Sequence, residues 1–147
     1  MDIEKIKQLR QESGISLTEC KKALEESQGD LERAKEILRE RGIEISAKKS
    51  ERETKEGIVS AYIHPNKKVG AMIILGCESD FVAKSDDFQK LAHELCLQIA
   101  ASPFEGIPLL EQAWIKDDKK TIKDLINEYI AKFGENITLK DFIRYKI

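Results

Sequence analysis

Cysteine and proline are scarce in this sequence, with three of each among 147 residues. The cysteines are odd in number, and Cys20, Cys77 and Cys96 fall in three different predicted elements, so they do not indicate a disulfide framework. His93 and Cys96 lie one helical turn apart and His64 lies upstream, but no Cys-x-x-Cys pair occurs. We therefore expect reduced, packed thiols and no metal site.

The sequence also lacks an excess of one charge, because 25 Lys and Arg face 27 Asp and Glu for a net charge of -2. Proteins that bind nucleic acid through its backbone normally carry a basic surplus, so a protein or small-molecule partner is favoured over nucleic acid. No apolar run reaches the length of about 18 residues that a membrane span needs. The first residues, Met1-Asp2-Ile3-Glu4, lack the character of a leader peptide. We predict a cytoplasmic protein that does not contact membranes.

Signatures of catalysis and of cofactor binding are absent as well. The eight glycines are scattered, and no Gly-x-x-x-x-Gly-Lys run is present to hold a nucleotide phosphate. Ser79, Asp80 and His64 are the residue types of a hydrolytic triad, but no nucleophile elbow surrounds Ser79. The sequence thus predicts neither an enzyme nor a cofactor, and a catalytic or metal protein that uses Asp80, His93 and Cys96 is the most remote alternative.

What the sequence does contain is hydrophobic periodicity, with 41% hydrophobic residues, enough for a core. Residues 1–43 predict three short helices. The second begins at Ser16, where Glu19 would complete a capping box, and the third begins at Asp30 and ends at Gly42. Together these helices predict a small N-terminal module.

Residues 44–56 are mostly charged or small and predict a linker that is at most partly helical. A basic contact site at Lys48 and Lys49 is the alternative, but acidic residues are interspersed and favour a solvated connector.

Residues 57–147 predict an α+β core domain. Residues 58–64 and 69–75 are typical of an antiparallel hairpin, a helix begins at Ser85, and residues 109–115 read as extended. A further helix is capped near Thr121 and closed by Gly134. The chain ends in alternation, with Asp141 on the otherwise apolar face as a sign of an edge, a bulge or an inward charge. We predict a small antiparallel sheet with helices packed on one face and with edges that another chain commonly covers.

The most informative stretch is Cys77-Glu78-Ser79-Asp80-Phe81-Val82, which follows a predicted strand. Residues 79–84 predict a strand-to-helix turn, and such turns present side chains to partners. From the residues alone, a core ring and an exposed anchor are about equally good interpretations of Phe81.

This stretch resembles the Thr/Ser-Asp-Phe-Val signature of the elongation factor Ts family, guanine-nucleotide exchange factors for elongation factor Tu. The resemblance covers nearly the whole chain, in the order Leu9-Arg10, Ser13-Gly14, Cys20-Lys21-Lys22-Ala23-Leu24, Gly29-Asp30, Leu38-Arg39, Lys55-Glu56-Gly57, Tyr62-Ile63-His64 and Ala131-Lys132-Phe133-Gly134-Glu135-Asn136-Ile137. It implies that the N-terminal helices form a ubiquitin-associated-type module. The chain is shorter than the usual family member, and it resembles other compact members in which a homodimer is plausible.

The resemblance also implies where the partner binds. Ser79, Asp80, Phe81 and Val82 would form the exchange motif, with Phe81 wedged between helices of the nucleotide domain of elongation factor Tu and Asp80 disturbing the contacts to magnesium and phosphate. Arg10, Leu17 and Thr18 match positions through which the N-terminal module docks on the same domain. The main alternative is a general interaction module, in which Phe81 is dispensable.

Overall fold

The N-terminal part of the chain folds into three helices. The structure is a computed structural model that describes residues 2–147, so Met1, the first residue of the predicted module, lies outside the described residues. The helices are α1 (Ile3–Ser13), α2 (Leu17–Glu26) and α3 (Leu31–Lys49), and the side chains of Asp2, Ser16 and Asp30 cap their N-termini. Their shared apolar core consists of Leu9, Cys20, Ala23, Leu24, Ala34, Ile37 and Leu38.

The predicted capping box at Ser16 forms only in part. The Ser16 hydroxyl accepts from the backbone N–H of Glu19 at 3.3 Å, but the Glu19 carboxylate pairs with Arg41 at 3.2 Å instead of reaching back. Arg41 also pairs with Glu26. An ion pair between α2 and α3 has replaced one local hydrogen bond, which the local sequence pattern does not reveal.

The prediction that the third helix ends at Gly42 is wrong, because α3 continues to Lys49. Gly42 is buried, and a Cβ there would lie 3.8 Å from the carbonyl oxygen of Asn127 in α6 (Ile122–Phe133). Ile45 packs against the core of the sheet domain. This packing outweighs the low helix propensity of glycine, which costs about 1 kcal/mol relative to alanine.

A three-stranded antiparallel sheet in the order β1-β2-β5 forms the centre of the second part of the structure. The predicted hairpin is confirmed as β1 (Glu56–Ile63) and β2 (Val69–Cys77), with Ile58 opposite Leu75. The predicted helix after Ser85 is α5 (Asp86–Ala101), which packs across β1, β2 and β5 (Thr138–Lys146). The predicted α+β class, with a small antiparallel sheet and helices, is confirmed.

The last strand differs from the predicted simple alternation. Leu139 pairs with Leu75, but the next pair is Asp141 with Ile74, so Lys140 is the extra residue of a β-bulge. A bulge moves every later side chain to the opposite face. The predicted uninterrupted alternation would place Ile143 and Tyr145 on one face with Leu139, and it is therefore wrong. Two of the three interpretations of Asp141 are confirmed, because β5 is an edge strand and carries the bulge, whereas the exposed Asp141 is not an inward charge.

The segment before α6 is only partly extended. Leu109–Glu111 forms a 3-10 turn, and Ala113–Trp114 forms β3, which pairs with a strand that the sequence did not predict, β4 (Asp117–Thr121). The buried Gln98 side chain accepts from the N–H of Ile115 at 2.9 Å and donates to the Ala113 carbonyl at 3.0 Å. The Gln98 side chain, which is distant in sequence, thus provides main-chain hydrogen bonds that a neighbouring strand would otherwise provide. The predicted start of α6 at Thr121 and its end at Gly134 are confirmed.

Candidate partner-binding site

The stretch after β2 forms a short helix, α4 (Asp80–Ala83), rather than an irregular turn. The Ser79 hydroxyl caps it by accepting from the N–H of Val82 at 3.2 Å. Phe81 is 87% exposed, whereas Val82 and Ala83 are 5% and 2% exposed. Of the four predicted motif residues, Val82 anchors the helix in the core, and Phe81 stands free in solvent.

Asp80 lies at the start of α4 and is also exposed. Its carboxylate pairs with Lys84 at 2.8 Å, one turn along, and both side chains are more than half exposed. Exposed pairs of this kind contribute little to stability. The Asp80 carboxylate is therefore available to a partner at small energetic cost.

Glu135 completes the site, although the sequence did not single it out as a site residue. Its carboxylate accepts from the Ser79 hydroxyl at 2.6 Å and from the backbone N–H of Ser79 at 2.9 Å. The only sequence signal was its place in the motif that resembles the family after α6. No local pattern connects two residues so far apart in the chain.

The residues considered for catalysis do not assemble. Ser79 is hydrogen-bonded to Glu135 rather than to a histidine, and His64 Nδ1 lies 2.9 Å from the Tyr62 hydroxyl. Burial, and next the Glu135 carboxylate, raise the pKa of the Cys77 thiol to about 11. That thiol is neutral at physiological pH and donates to the Ser79 carbonyl at 3.2 Å, so it is not an activated nucleophile. Among residues 2–147, no three His, Cys, Asp or Glu side chains gather closely enough to hold a metal ion.

The predicted contact residues of the N-terminal module lie on a separate surface. Arg10 and Leu17 line one shallow depression together with Lys7 and Gln11. Thr18 is exposed in the first turn of α2 but does not line this depression. Helix α4 packs on β1, β2 and α5, whereas α1 and α2 pack on each other and on α3. The two predicted contact sets thus sit on different parts of the fold.

The face of the three-stranded sheet that points away from α5 is exposed and largely apolar. The outer sheet face, as we name it, carries exposed apolar side chains from all three strands, which are Val59, Ala61, Ile63, Met72, Ile74, Ile143 and Tyr145. The exposed Asp141, which pairs with Ile74, lies on the same face. Val59 and Tyr145 are 66% and 70% exposed. A contiguous apolar surface of this kind marks an interaction site.

No helix within residues 2–147 is both long and apolar enough to cross a bilayer.

An exposed aromatic anchor and an apolar sheet face are typical of proteins that act by binding other proteins. The family model for elongation factor Ts matches residues 78–147. The protein named elongation factor Ts from Thermotoga neapolitana is 39% identical, over 100% of this chain and 97% of its own length. Those from Thermodesulfovibrio yellowstonii and Coprothermobacter proteolyticus are 38% and 39% identical, each over 97% of this chain, and 94% and 95% of their own lengths are covered.

The chain belongs to the elongation factor Ts family, and it is thus a factor of translation elongation in protein biosynthesis. The alignment with the Thermotoga neapolitana protein runs over 191 positions, against 147 residues in this chain. This chain is therefore a short member, as the sequence indicated.

Proposed function

We propose that this chain is a guanine-nucleotide exchange factor that binds GDP-bound elongation factor Tu and promotes release of GDP. It does so by inserting the Asp80-Phe81 turn near the magnesium and phosphate site, and it forms no covalent bond. The family supports the partner, and the exposure of Phe81 is the observation that carries the mechanism.

The physical basis is the way in which nucleotides are held. Backbone N–H groups and a bridging cation bind the phosphates, so displacing either lowers nucleotide affinity. A ring at the tip of a capped helix enters a gap between partner helices without unfolding its own support. Asp80 can leave Lys84 and bring a negative charge close to the cation and its ligands.

Phe81 alone does not supply enough energy. Speeding release by about 10⁴ requires roughly 5.5 kcal/mol, whereas burying a phenylalanine contributes about 1.5 to 3 kcal/mol. Further contacts that strengthen as GDP leaves must contribute, Asp80 among them, and we assign the docking that holds the chain on its partner to Arg10, Leu17 and Thr18 of the N-terminal module. Because binding is reciprocal, GDP must weaken factor binding by the ratio by which the factor weakens GDP binding, so incoming nucleotide releases the factor.

The test is the rate at which a fluorescent GDP analogue leaves elongation factor Tu, at fixed magnesium, with the wild-type chain or the Phe81→Ala variant. We expect acceleration by the wild type that collapses in the variant. Phe104→Ala is the matched control, because it removes another partly exposed phenylalanine, 38% exposed, from a loop. No acceleration by the folded wild type would favour the general interaction module instead, whereas full acceleration by Phe81→Ala would overturn the role of Phe81 and leave the exchange function standing.

We further propose that the outer sheet face binds a second copy of this chain. The run in β2 is apolar on both faces, a pattern that is typical of strands buried on both sides, yet Met72 and Ile74 remain 48% and 43% exposed. Two such sheets packed face to face would bury both apolar layers in a sandwich. The surface is apolar apart from Asp141, which pairs with Ile74 from the edge strand β5, and a two-fold copy would present the same apolar patch to it.

The oligomeric state tests this part. We expect a dimer in sedimentation equilibrium, and a shift to monomer in Ile74→Asp, which places a charge at the centre of the face. Ile107→Asp is the matched control, because Ile107 is 44% exposed and lies in a loop outside the sheet. A wild-type monomer at concentrations of about 100 µM, well above a typical specific Kd, would rule out self-association through this face.

A further inference from the structure

Two acidic side chains join the start of the Phe81 turn to the loop that follows α6. Glu135 accepts from the backbone N–H groups of Glu78 and Ser79 at 3.1 and 2.9 Å. In return, Glu78 accepts from the backbone N–H of Asn136 at 2.5 Å. Each segment thus supplies a carboxylate to the main chain of the other, an arrangement that we name the carboxylate clamp.

The clamp also binds the segment that follows α3. The second oxygen of Glu78 pairs with Arg52 at 3.1 Å. The side-chain amide of the buried Asn136 donates to the carbonyl oxygens of Arg52 at 2.9 Å and of Ser50 at 3.4 Å. Three segments that are distant in sequence therefore meet directly behind the turn.

The link to Phe81 runs through one hydroxyl group. Ser79 Oγ donates its proton to Glu135 and keeps a lone pair for the N–H of Val82. By accepting that proton, Glu135 orients the hydroxyl as a helix cap. Helix α4 has only four residues, too few to be stable without outside support. The direction of the Phe81 ring thus depends on the clamp and on the buried Val82.

We propose that Glu135 is a positioning residue for nucleotide exchange, which acts by holding the Ser79 cap and so the direction of Phe81. This inference rests on the proposed exchange function. A turn that is already ordered before binding loses less conformational entropy when the complex forms. Charge-assisted hydrogen bonds are about twice as strong as neutral ones, so one carboxylate with three donors is an effective support.

The first measurement is GDP release from elongation factor Tu with wild-type chain, Glu135→Ala and the charge-matched control Glu111→Ala. Glu111 is exposed and lies in the 3-10 turn, away from the clamp. We expect Glu135→Ala to reduce stimulated release about tenfold, as for the loss of a strong hydrogen-bonded support, and Glu111→Ala to change it little. Thermal unfolding confirms that each variant is folded.

A double-mutant cycle separates positioning from general stability. Affinity for nucleotide-free elongation factor Tu is measured for wild type, Glu135→Ala, Phe81→Ala and the double variant, because the N-terminal module keeps binding measurable. If Glu135 acts through Phe81, Glu135→Ala weakens binding in the wild type and has little further effect beside Phe81→Ala. Amide exchange supplies a second readout, with faster exchange at Val82 and no change in the centre of β2.

The outcomes distinguish the two proposals. A wild-type chain that does not accelerate GDP release overturns the exchange function, and the role of Glu135 with it. An active wild type with a fully active Glu135→Ala variant overturns the positioning role alone. Equal losses of affinity in the wild-type and Phe81→Ala backgrounds also overturn it, because they would show a purely structural effect.

Discussion

Gly42 is the residue at which α3 meets α6. It lies in a helix interior, where glycine is less favourable than alanine, and a Cβ would meet the Asn127 carbonyl at an ordinary contact distance of 3.8 Å. Gly42→Ala should therefore raise the free energy of unfolding by about 0.5 to 1 kcal/mol. Denaturant unfolding followed by circular dichroism measures this change.

A substitution at Gly57 should have the opposite effect on the free energy of unfolding in the same measurement. Its φ is +151°, and a Cβ would lie 2.2 Å from the Leu75 carbonyl oxygen. Gly57→Ala should lower the free energy of unfolding by roughly 2 kcal/mol or more. A destabilised Gly42→Ala would show that the contact between α3 and α6 leaves no room for a methyl group.

Two phenylalanines show what single residues reveal before a structure is known. Phe88 belongs to a stripe of apolar residues at helical spacing after Ser85, a pattern that predicts a core position, and it is completely buried. Phe81 belongs to no stripe, because a four-residue helix is too short to show one, so its exposure followed only from the family resemblance. Glu135 was not predicted, since its proposed role depends on contacts with Ser79 and Glu78, which lie 56 and 57 positions away from it in the chain.

At the scale of elements, one ion pair joins the N-terminal helices to α6. Burial opposes ionisation of Asp124, but the hydrogen bonds from Thr121 and the ion pair with Arg39 at 3.1 Å outweigh it and hold the pKa of Asp124 below its usual value. The folded state thus favours the charged carboxylate. Its stabilisation is present above the unfolded pKa of about 3.9 and is lost as the pH falls through the lower folded pKa.

Asp124→Asn should therefore destabilise the protein by about 1 to 2 kcal/mol at neutral pH, because a charged hydrogen-bonded partner is lost. The difference from wild type should shrink as the pH falls below about 4. Urea unfolding at a series of pH values measures it, with Asp118→Asn, at an exposed position of β4, as the control. A difference that stays constant with pH would mean that the charge of Asp124 contributes nothing.

The elements themselves were predictable where a pattern repeats. The apolar residues that recur at helical spacing after the caps at Ser85 and Thr121 predict two helices that the structure confirms. Prediction failed where one structural feature outside the repeating pattern determines the course of an element. The bulge at Lys140 reverses the faces of β5, and the packing of Gly42 on α6 extends α3.

At the scale of the whole molecule, the structure presents two candidate surfaces for one partner. The surface with Arg10 and Leu17 belongs to the helical module, and Phe81 belongs to the sheet domain. Contacts that are equally strong before and after GDP leaves increase affinity only, whereas contacts that strengthen as GDP leaves increase the rate. We assign the first role to the module and the second to Phe81.

This division predicts different kinetics for two variants. Leu17 is 47% exposed, and burying the rest of it against a partner contributes about 1 kcal/mol, so Leu17→Ala should raise the factor concentration for half-maximal GDP release roughly fivefold. The maximal rate should stay unchanged. Phe81→Ala should instead lower the maximal rate, because the missing ring acts in the step in which GDP leaves.

Titrations of stimulated release against factor concentration separate these two effects. Ile107→Ala serves as the control, because Ile107 is similarly exposed, at 44%, but lies in neither surface. A lower maximal rate in Leu17→Ala would mean that the module takes part in the displacement itself. The energy beyond the contribution of Phe81 would then come from contacts that strengthen during release, and the two surfaces would act as one wedge rather than as an anchor and a wedge.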